Sequence, residues 1–402
     1  MTPKSDGDKF VTPEAAAAAD DLKTSAPVVS SPESTEEKSG FKLPFNLSYQ
    51  FKWPPSKIEL AALTGAAFVL IMLGWFIFGS GHSGEPKFKT KKPVVAKVAP
   101  KPTTVPSTLS GLPVDPSANQ RPVTGVMVEN SLDARPQSGL SQAGVVFEAV
   151  AEGGITRFLA LYQDQVPTNV GPVRSARPYY IQWNLGFDAA YAHVGGSPDA
   201  LNDISAWGVK DLNQFYNGGS YHRVSSRPAP HNVYTGIDTL NQLEAAKGYT
   251  SSNFTGFVRK KAAPAKKPTA TSVALNMSYG NDYNVSYTYV PKTNSYARNE
   301  GGQAQIDANT NQQLSPTVVI AMVVPLGQGA LDASGAYYSD YAVVGSGTVY
   351  VFQDGGVTTG TWSKADNNSQ IQFTTASGQP LALDPGQAWL TAIPDASKVS
   401  YH

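Results

Sequence analysis

The chain has 402 residues, with 31 Lys plus Arg against 31 Asp plus Glu, and no cysteine. Without cysteine, disulfides, thiolate metal sites, Cys nucleophiles and lipobox acylation are excluded. Charged residues are only 15% while Gly and Pro are abundant, which describes strands and turns rather than a helical cytosolic enzyme.

Residues 1–57 are polar, with AAAAADD and SSPESTEEKS runs, and read as a disordered tail. Residues 60–78, LAALTGAAFVLIMLGWFIF, carry no charge and are apolar all round apart from Thr64 and the small residues. At about 1.5 Å per residue they span roughly 28 Å, which predicts a single transmembrane helix over 58–79. Lys52 and Lys57 flank it on one side, and Lys87, Lys89, Lys91 and Lys92 on the other, so positive charge does not set its orientation. Residues 80–112, rich in Lys and Pro, read as an extended stalk.

A globular pattern begins after the stalk. From Gly111 onward 18 Lys plus Arg face 21 Asp plus Glu, which leaves no broad basic field and predicts no nucleic-acid partner. Segments 122–130, 145–151 and 155–163 read as strands, the last two joined by Glu152-Gly153-Gly154 in a hairpin. Residues 174–187 predict a helix, and 189–194 a strand. A helix follows, capped by Ser197 with Pro198 at its first position, and another covers 237–248. Strands alternating with helices make an α/β-type domain over 113–258. A basic linker or loop occupies 259–269. Beyond it, over 270–402, SVALNMS, YNVSYTYV, TVVIAMVV, GTVYVF, GVTTGTW, QIQFTT and QAWLTAI predict a mostly antiparallel β domain. The expected class is α+β on a single transmembrane helix.

Several polar groups stand out in a chain this poor in charge. Glu148 and Glu152 lie an even number of residues apart on one strand, so alternation puts them on one face. Arg157, Arg174, Arg177 and Arg227 can hold a carboxylate or phosphate in bidentate fashion, with Ser175 beside them, and they equally suit an internal salt-bridge network. His193-Val194-Gly195-Gly196-Ser197 sits at a strand-to-helix turn, where glycines allow close approach and free N–H groups face an anion. The Gly pair lacks the dinucleotide or P-loop fingerprint, and no cofactor is expected. His222, Arg223, His231 and Asn232 add a second polar cluster. The histidine spacing fits no metal site, whereas His193 and His231 suit acid–base work with Glu148 or Glu152. At about 13 Å along a straight strand, the two glutamates are too far apart for a glycosidase pair. In the β part Tyr296, Arg298, Trp362, Lys364 and Trp389 suit either sugar contact or a core.

The strings ARPQSGLSQAGVVFEAVAEGGITRF, GPVRSAR, HVGGS, RPAPHN, YARNEGG, GTW-S-K and LDPGQAWLTAIP, in that order, resemble a bacterial family, the YerB-like lipoproteins, defined by a domain of unknown function. The resemblance runs from about Leu112 to Pro394. It implies two consecutive domains on the outer face of the cytoplasmic membrane, with the tail inside. Relatives are typically tethered by an acylated cysteine. This chain has none, and the helix over 58–79 stands in its place. The expected role is therefore an extracytoplasmic surface protein that binds a wall polymer or an envelope protein through an arginine-rich cleft. A cell-envelope hydrolase with Glu/His acid–base catalysis is the alternative.

Overall fold

The computed structural model describes residues 103–277, 280–331 and 335–402. The expected tail, the transmembrane segment 58–79 and most of the stalk lie outside these residues. Among the described residues no helix is long and apolar enough to cross a membrane.

Leaving aside two-residue strands, the first half of the body supplies strands β1 (Thr124–Glu129), β2 (Val145–Glu152) and β3 (Ile155–Tyr162). A short strand β4 (Ala190–Ala192) is also needed, because it closes the edge beside β1. Three helices accompany them: α1 (Pro178–Leu185), α2 (Pro198–Ala206) and α3 (Ile237–Ala246). The second half supplies β5 (Ser272–Leu275), β6 (Val285–Val290), β7 (Ser295–Glu300), β8 (Val318–Val323), β9 (Leu326–Leu331) and β10 (Tyr337–Tyr341). It then adds β11 (Gly345–Gln353), β12 (Gly356–Lys364), β13 (Gln372–Thr375), β14 (Ala388–Ile393) and β15 (Val399–Tyr401).

One mixed sheet crosses both halves in the order β13–β12–β11–β8–β14–β2–β3–β1–β4. Its seam is the parallel pairing of β14 with β2, from Ala388 opposite Val145 to Thr391 opposite Glu148. The two halves of the sequence therefore share one sheet. The second half also departs from a purely antiparallel pattern, since β8 and β14 run parallel. A smaller antiparallel sheet contains β7, β6, β5 and the C-terminal β15 in that order. Strands β2 and β3 are buried almost throughout, as expected where both faces of a sheet are covered. On one face Phe147 stacks on Trp183 of α1 with ring centroids 4.9 Å apart. On the other, Phe158 meets Trp389 edge to face at 5.3 Å.

Local sequence explains the helix starts. Ser197 caps α2 by accepting from the Ala200 N–H, with Pro198 at the first position, as expected. Helix α1 begins at Pro178 rather than at residue 174. The backbone before it is held extended: the Arg174 N–H donates to the Met127 carbonyl, and Arg177 is the N-cap. The end of the expected stalk is docked on the body, with Leu109 buried in the core. The 259–269 stretch is docked too, Lys260 pairing with Asp354 and Asp384.

Candidate functional site

Strands β1 and β4 run parallel, β14 and β2 run parallel, and β3 runs antiparallel to both β1 and β2. The carboxyl ends of β1, β2, β4 and β14 therefore share one edge of the sheet with the start of β3. Loops at such an edge are where open sheets of this kind hold ligands. Most of the candidate residues gather there.

Glu129 ends β1, directly opposite Arg157 on β3. Its carboxylate is 4% exposed. Oε1 accepts from Ser131 Oγ at 2.8 Å, faces His231 Nδ1 at 2.8 Å and lies 3.2 Å from Arg174 Nε. Oε2 is buried without a hydrogen-bond partner among the described residues. Glu152, at the end of β2, takes Arg157 on one oxygen and Arg177 on the other, the second at 2.6 Å. Tyr338 of β10 lies on the Arg177 guanidinium, 4.6 Å from ring centroid to carbon, and pairs with Glu152 across the strands. Burial pushes the Arg157 guanidinium below its ordinary pKa, and Arg177 adds to that, while Glu152 opposes it.

The 174–177 segment is fixed from both sides. The Val194 N–H donates to the Arg174 carbonyl, Arg157 donates to the Ser175 carbonyl at 3.2 Å, and the Ala176 N–H donates to the Gly195 carbonyl. Three guanidiniums thus stand against two carboxylates. Arg157 and Arg177 are enclosed and paired, whereas Arg174 is 24% exposed. Beyond the Nε contact with Glu129, its guanidinium makes no hydrogen bond among the described residues.

Arg227 and Asn232 act as fasteners. Arg227 donates to the carbonyls of Asp133 and Pro136, tying the 227–232 loop to the 131–136 loop. Asn232 accepts from Arg223 and donates to the Arg227 carbonyl. His222 is exposed and packs on Tyr234. His231 is 18% exposed, with Nε2 3.9 Å from the exposed Asp133 carboxylate.

His193 follows β4 and is fully buried. Nδ1 contacts the Gly195 carbonyl at 2.7 Å and Nε2 contacts Asp211 at 2.9 Å, so neither ring nitrogen is open. Gly195 has φ +59°, and a Cβ there would meet Phe215 at 2.9 Å. A Cβ on Gly196 would crowd Ala176 at 3.2 Å. These glycines serve a tight turn and a capped helix.

Glu148 corrects the expected alternation. A bulge between Val150 and Glu152 shifts the register of β2 against β3, so the two glutamates have separate surroundings. Glu148 is fully buried: Arg298 donates to Oε1 at 2.8 Å, and Trp389 Nε1 to Oε2 at 2.8 Å. Arg298 also bonds Tyr287 and Gln305, and lies 4.4 Å from the Trp389 ring centroid. Burial works against its charge, but Glu148, Tyr287 and Glu300 outweigh burial and raise its pKa. Tyr296 is in the core. Trp362 is buried and donates to the Val323 carbonyl at 2.8 Å. Lys364 is buried, bonded to the Asn367 and Ser369 carbonyls, and burial pushes it down to about 8. Arg298, Trp362 and Lys364 therefore present no surface for a ligand.

Glu129 and Ser131 are the residues that sequence reasoning missed. Their signal was the polar VEN ending of an apolar strand. Nearby, a cavity of about 670 Å³ opens between the β9–β10 hairpin and the Gly153–Gly154 turn, with Val150, Met277, Leu326 and Tyr337 on its walls.

Residues 109–250 match the family described as "Protein of unknown function (DUF3048) N-terminal domain", and 273–390 match the corresponding C-terminal domain. The chain is 33% identical over 296 residues to YerB of Bacillus subtilis (strain 168), covering 73% of this chain and 87% of that protein, whose name marks it as a candidate lipoprotein. The crystal structure of Bacillus subtilis YerB superposes with a TM-score of 0.66 at 30% identity, covering 74% of this chain and 99% of that one.

Proposed function

The chain belongs to the DUF3048 family, and from that premise we propose that it is a membrane-anchored surface protein of the cell envelope that binds a wall polymer or a wall-synthesis partner. YerB's name describes a candidate lipoprotein, a protein held at a membrane surface by acylation. This chain has no cysteine to acylate, and its uncharged segment 60–78 supplies the anchor instead. The tail then lies inside and residues 103–402 outside.

One observation carries the binding reading: at the carboxyl edge of the sheet the terminal guanidinium nitrogens of Arg174 have no hydrogen-bond partner among the described residues, beside a base made rigid by Glu129, Glu152, Arg157 and Arg177. A preorganised guanidinium is suited to a carboxylate or phosphate, which it grips in bidentate fashion. Arg157 and Arg177 contribute field and rigidity, and Arg227 holds the loops. The test is co-sedimentation of the full-length protein, in detergent micelles, with purified sacculi. Arg174→Ala should reduce retention severalfold with the fold retained and at most a small loss of stability, and equal retention would remove the reading.

The hydrolytic alternative keeps a foothold in His231, whose ring is held by Glu129 at 2.8 Å as carboxylates hold catalytic histidines. Release of muropeptides by wild type, lost in His231→Gln, would favour it. No release by wild type would dismiss it.

A further inference from the structure

Two side chains that touch the Glu129 carboxylate carry unfilled functions. The first is a donor: Arg174 Nε lies 3.2 Å from Glu129 as an ion-pair contact without a hydrogen bond, and its two terminal nitrogens have no hydrogen-bond partner among the described residues. The second is an acceptor. Because His231 Nδ1 faces Glu129 Oε1 at 2.8 Å, the Nδ1–H tautomer is selected, and a neutral ring then offers a lone pair at Nε2. Among the described residues that nitrogen has no hydrogen-bond partner, and the exposed Asp133 carboxylate lies 3.9 Å from it. Both side chains touch the same carboxylate oxygen, Glu129 Oε1, which brings the two residues to one place on the sheet edge. The carboxylate beneath is 4% exposed, which makes the pair a built feature rather than a chance surface encounter.

We propose that Arg174 and His231 together form a site for the free carboxylate terminus of a peptide. Arg174 takes the carboxylate on its terminal nitrogens, and His231 Nε2 accepts the N–H of the last peptide bond. A bare anion would satisfy only the arginine. A dianion would be opposed by Glu129, Glu152 and Asp133. A chain-terminal residue carries the carboxylate and the N–H on adjacent atoms, so it fills both functions at once. Glu129 is then a positioning residue, acting through the tautomer of His231. The proposal rests on the wall- or partner-binding reading above, and it names the chemical group recognised.

The chain has five histidines, so the ring signals of histidine-labelled full-length protein in micelles can be followed one by one. The probe is N-acetyl-alanyl-alanine with a free carboxylate. Its addition should shift the His231 signals saturably. The C-terminal amide of the same peptide should bind about tenfold or more weakly, as should the free-carboxylate peptide to Arg174→Ala. The analogue with an ester in place of the last peptide bond should bind severalfold more weakly to wild type and equally to His231→Phe. Asp133→Asn should bind modestly more tightly, since a competing carboxylate is gone.

Equal binding of the amide, an ester that matches the peptide, acetate that matches the peptide, or an absence of any His231 shift would each overturn the proposal. The outcomes separate it from the broader reading. Retention on sacculi that needs Arg174 but no peptide binding would leave wall binding and remove the terminus site. Peptide binding without retention would do the reverse.

Discussion

Two carboxylate–arginine clusters lie on either side of the same strand and behave as opposites. Around Glu148, the Arg298 guanidinium is filled by Glu148, Tyr287 and Gln305, flanked by Trp389, and shut off from solvent. Around Glu129, one carboxylate oxygen carries three contacts, the other has none, and Arg174 keeps its terminal nitrogens free. Residue type is the same in both. Saturation is what differs: a closed network fixes the packing of two sheets, and an open one is available to a ligand. Buried ion pairs are costly to break and contribute little that an apolar pair could not, whereas an unfilled donor at a surface has its use in binding.

The contrast can be broken experimentally. The largest effect is expected at the closed cluster. Arg298→Ala leaves the Glu148 carboxyl buried without its guanidinium partner, and should cost about 3–5 kcal/mol in denaturant unfolding. The paired change Glu148→Leu with Arg298→Met should recover much of that loss.

Next comes the pH dependence of stability. Burial pushes Glu300 up to about 7 against the pull of Arg298, and burial pushes Glu244 up to about 7 against its bond from Thr124. Between the ordinary value of 4.5 and about 7 the folded chain holds protons that the unfolded chain has released. Stability is therefore fully present below 4.5 and falls as pH rises to about 7. Glu244→Gln and Glu300→Gln should each flatten the melting-temperature profile over that window, by an amount on the order of 1–3 kcal/mol.

Ser197→Ala, which removes the cap of α2, should cost about 1 kcal/mol without touching wall retention, since HVGGS serves the turn. The smallest effect on stability belongs to Arg174→Ala, about 1 kcal/mol or less, because Arg174 makes no hydrogen bond to Glu129, and Ser131 and His231 remain on that carboxylate. That substitution is where retention should fall most.

The fold was legible where local physics decided it. The apolar runs of β2 and β3, the hairpin at Glu152-Gly153-Gly154 and the Ser197-Pro198 start of α2 stand in the sequence as they stand in the structure. Strands β9 and β10 were not legible, because LGQGAL has no alternation and few β-formers. The strand β7 was missed because its buried positions include Arg298 and Glu300, residues that sequence patterning assigns to solvent. The site was half legible. Arg174, Arg177 and His231 were named from their strings. Glu129 was not, since a glutamate closing an apolar strand resembles any strand end. The bulge that separates Glu148 from Glu152 left no mark in the alternation of apolar residues, so the two carboxylates read as sharing one face.

Arginine-selective modification of the full-length protein in micelles, with and without sacculi and read residue by residue by mass spectrometry, addresses the open cluster most directly. Arg174 should react readily alone and be protected by sacculi, while the enclosed Arg157, Arg177 and Arg298 stay unmodified in both conditions. Equal reaction of Arg174 with and without sacculi, or ready reaction of Arg298, would contradict the division between an open and a closed cluster.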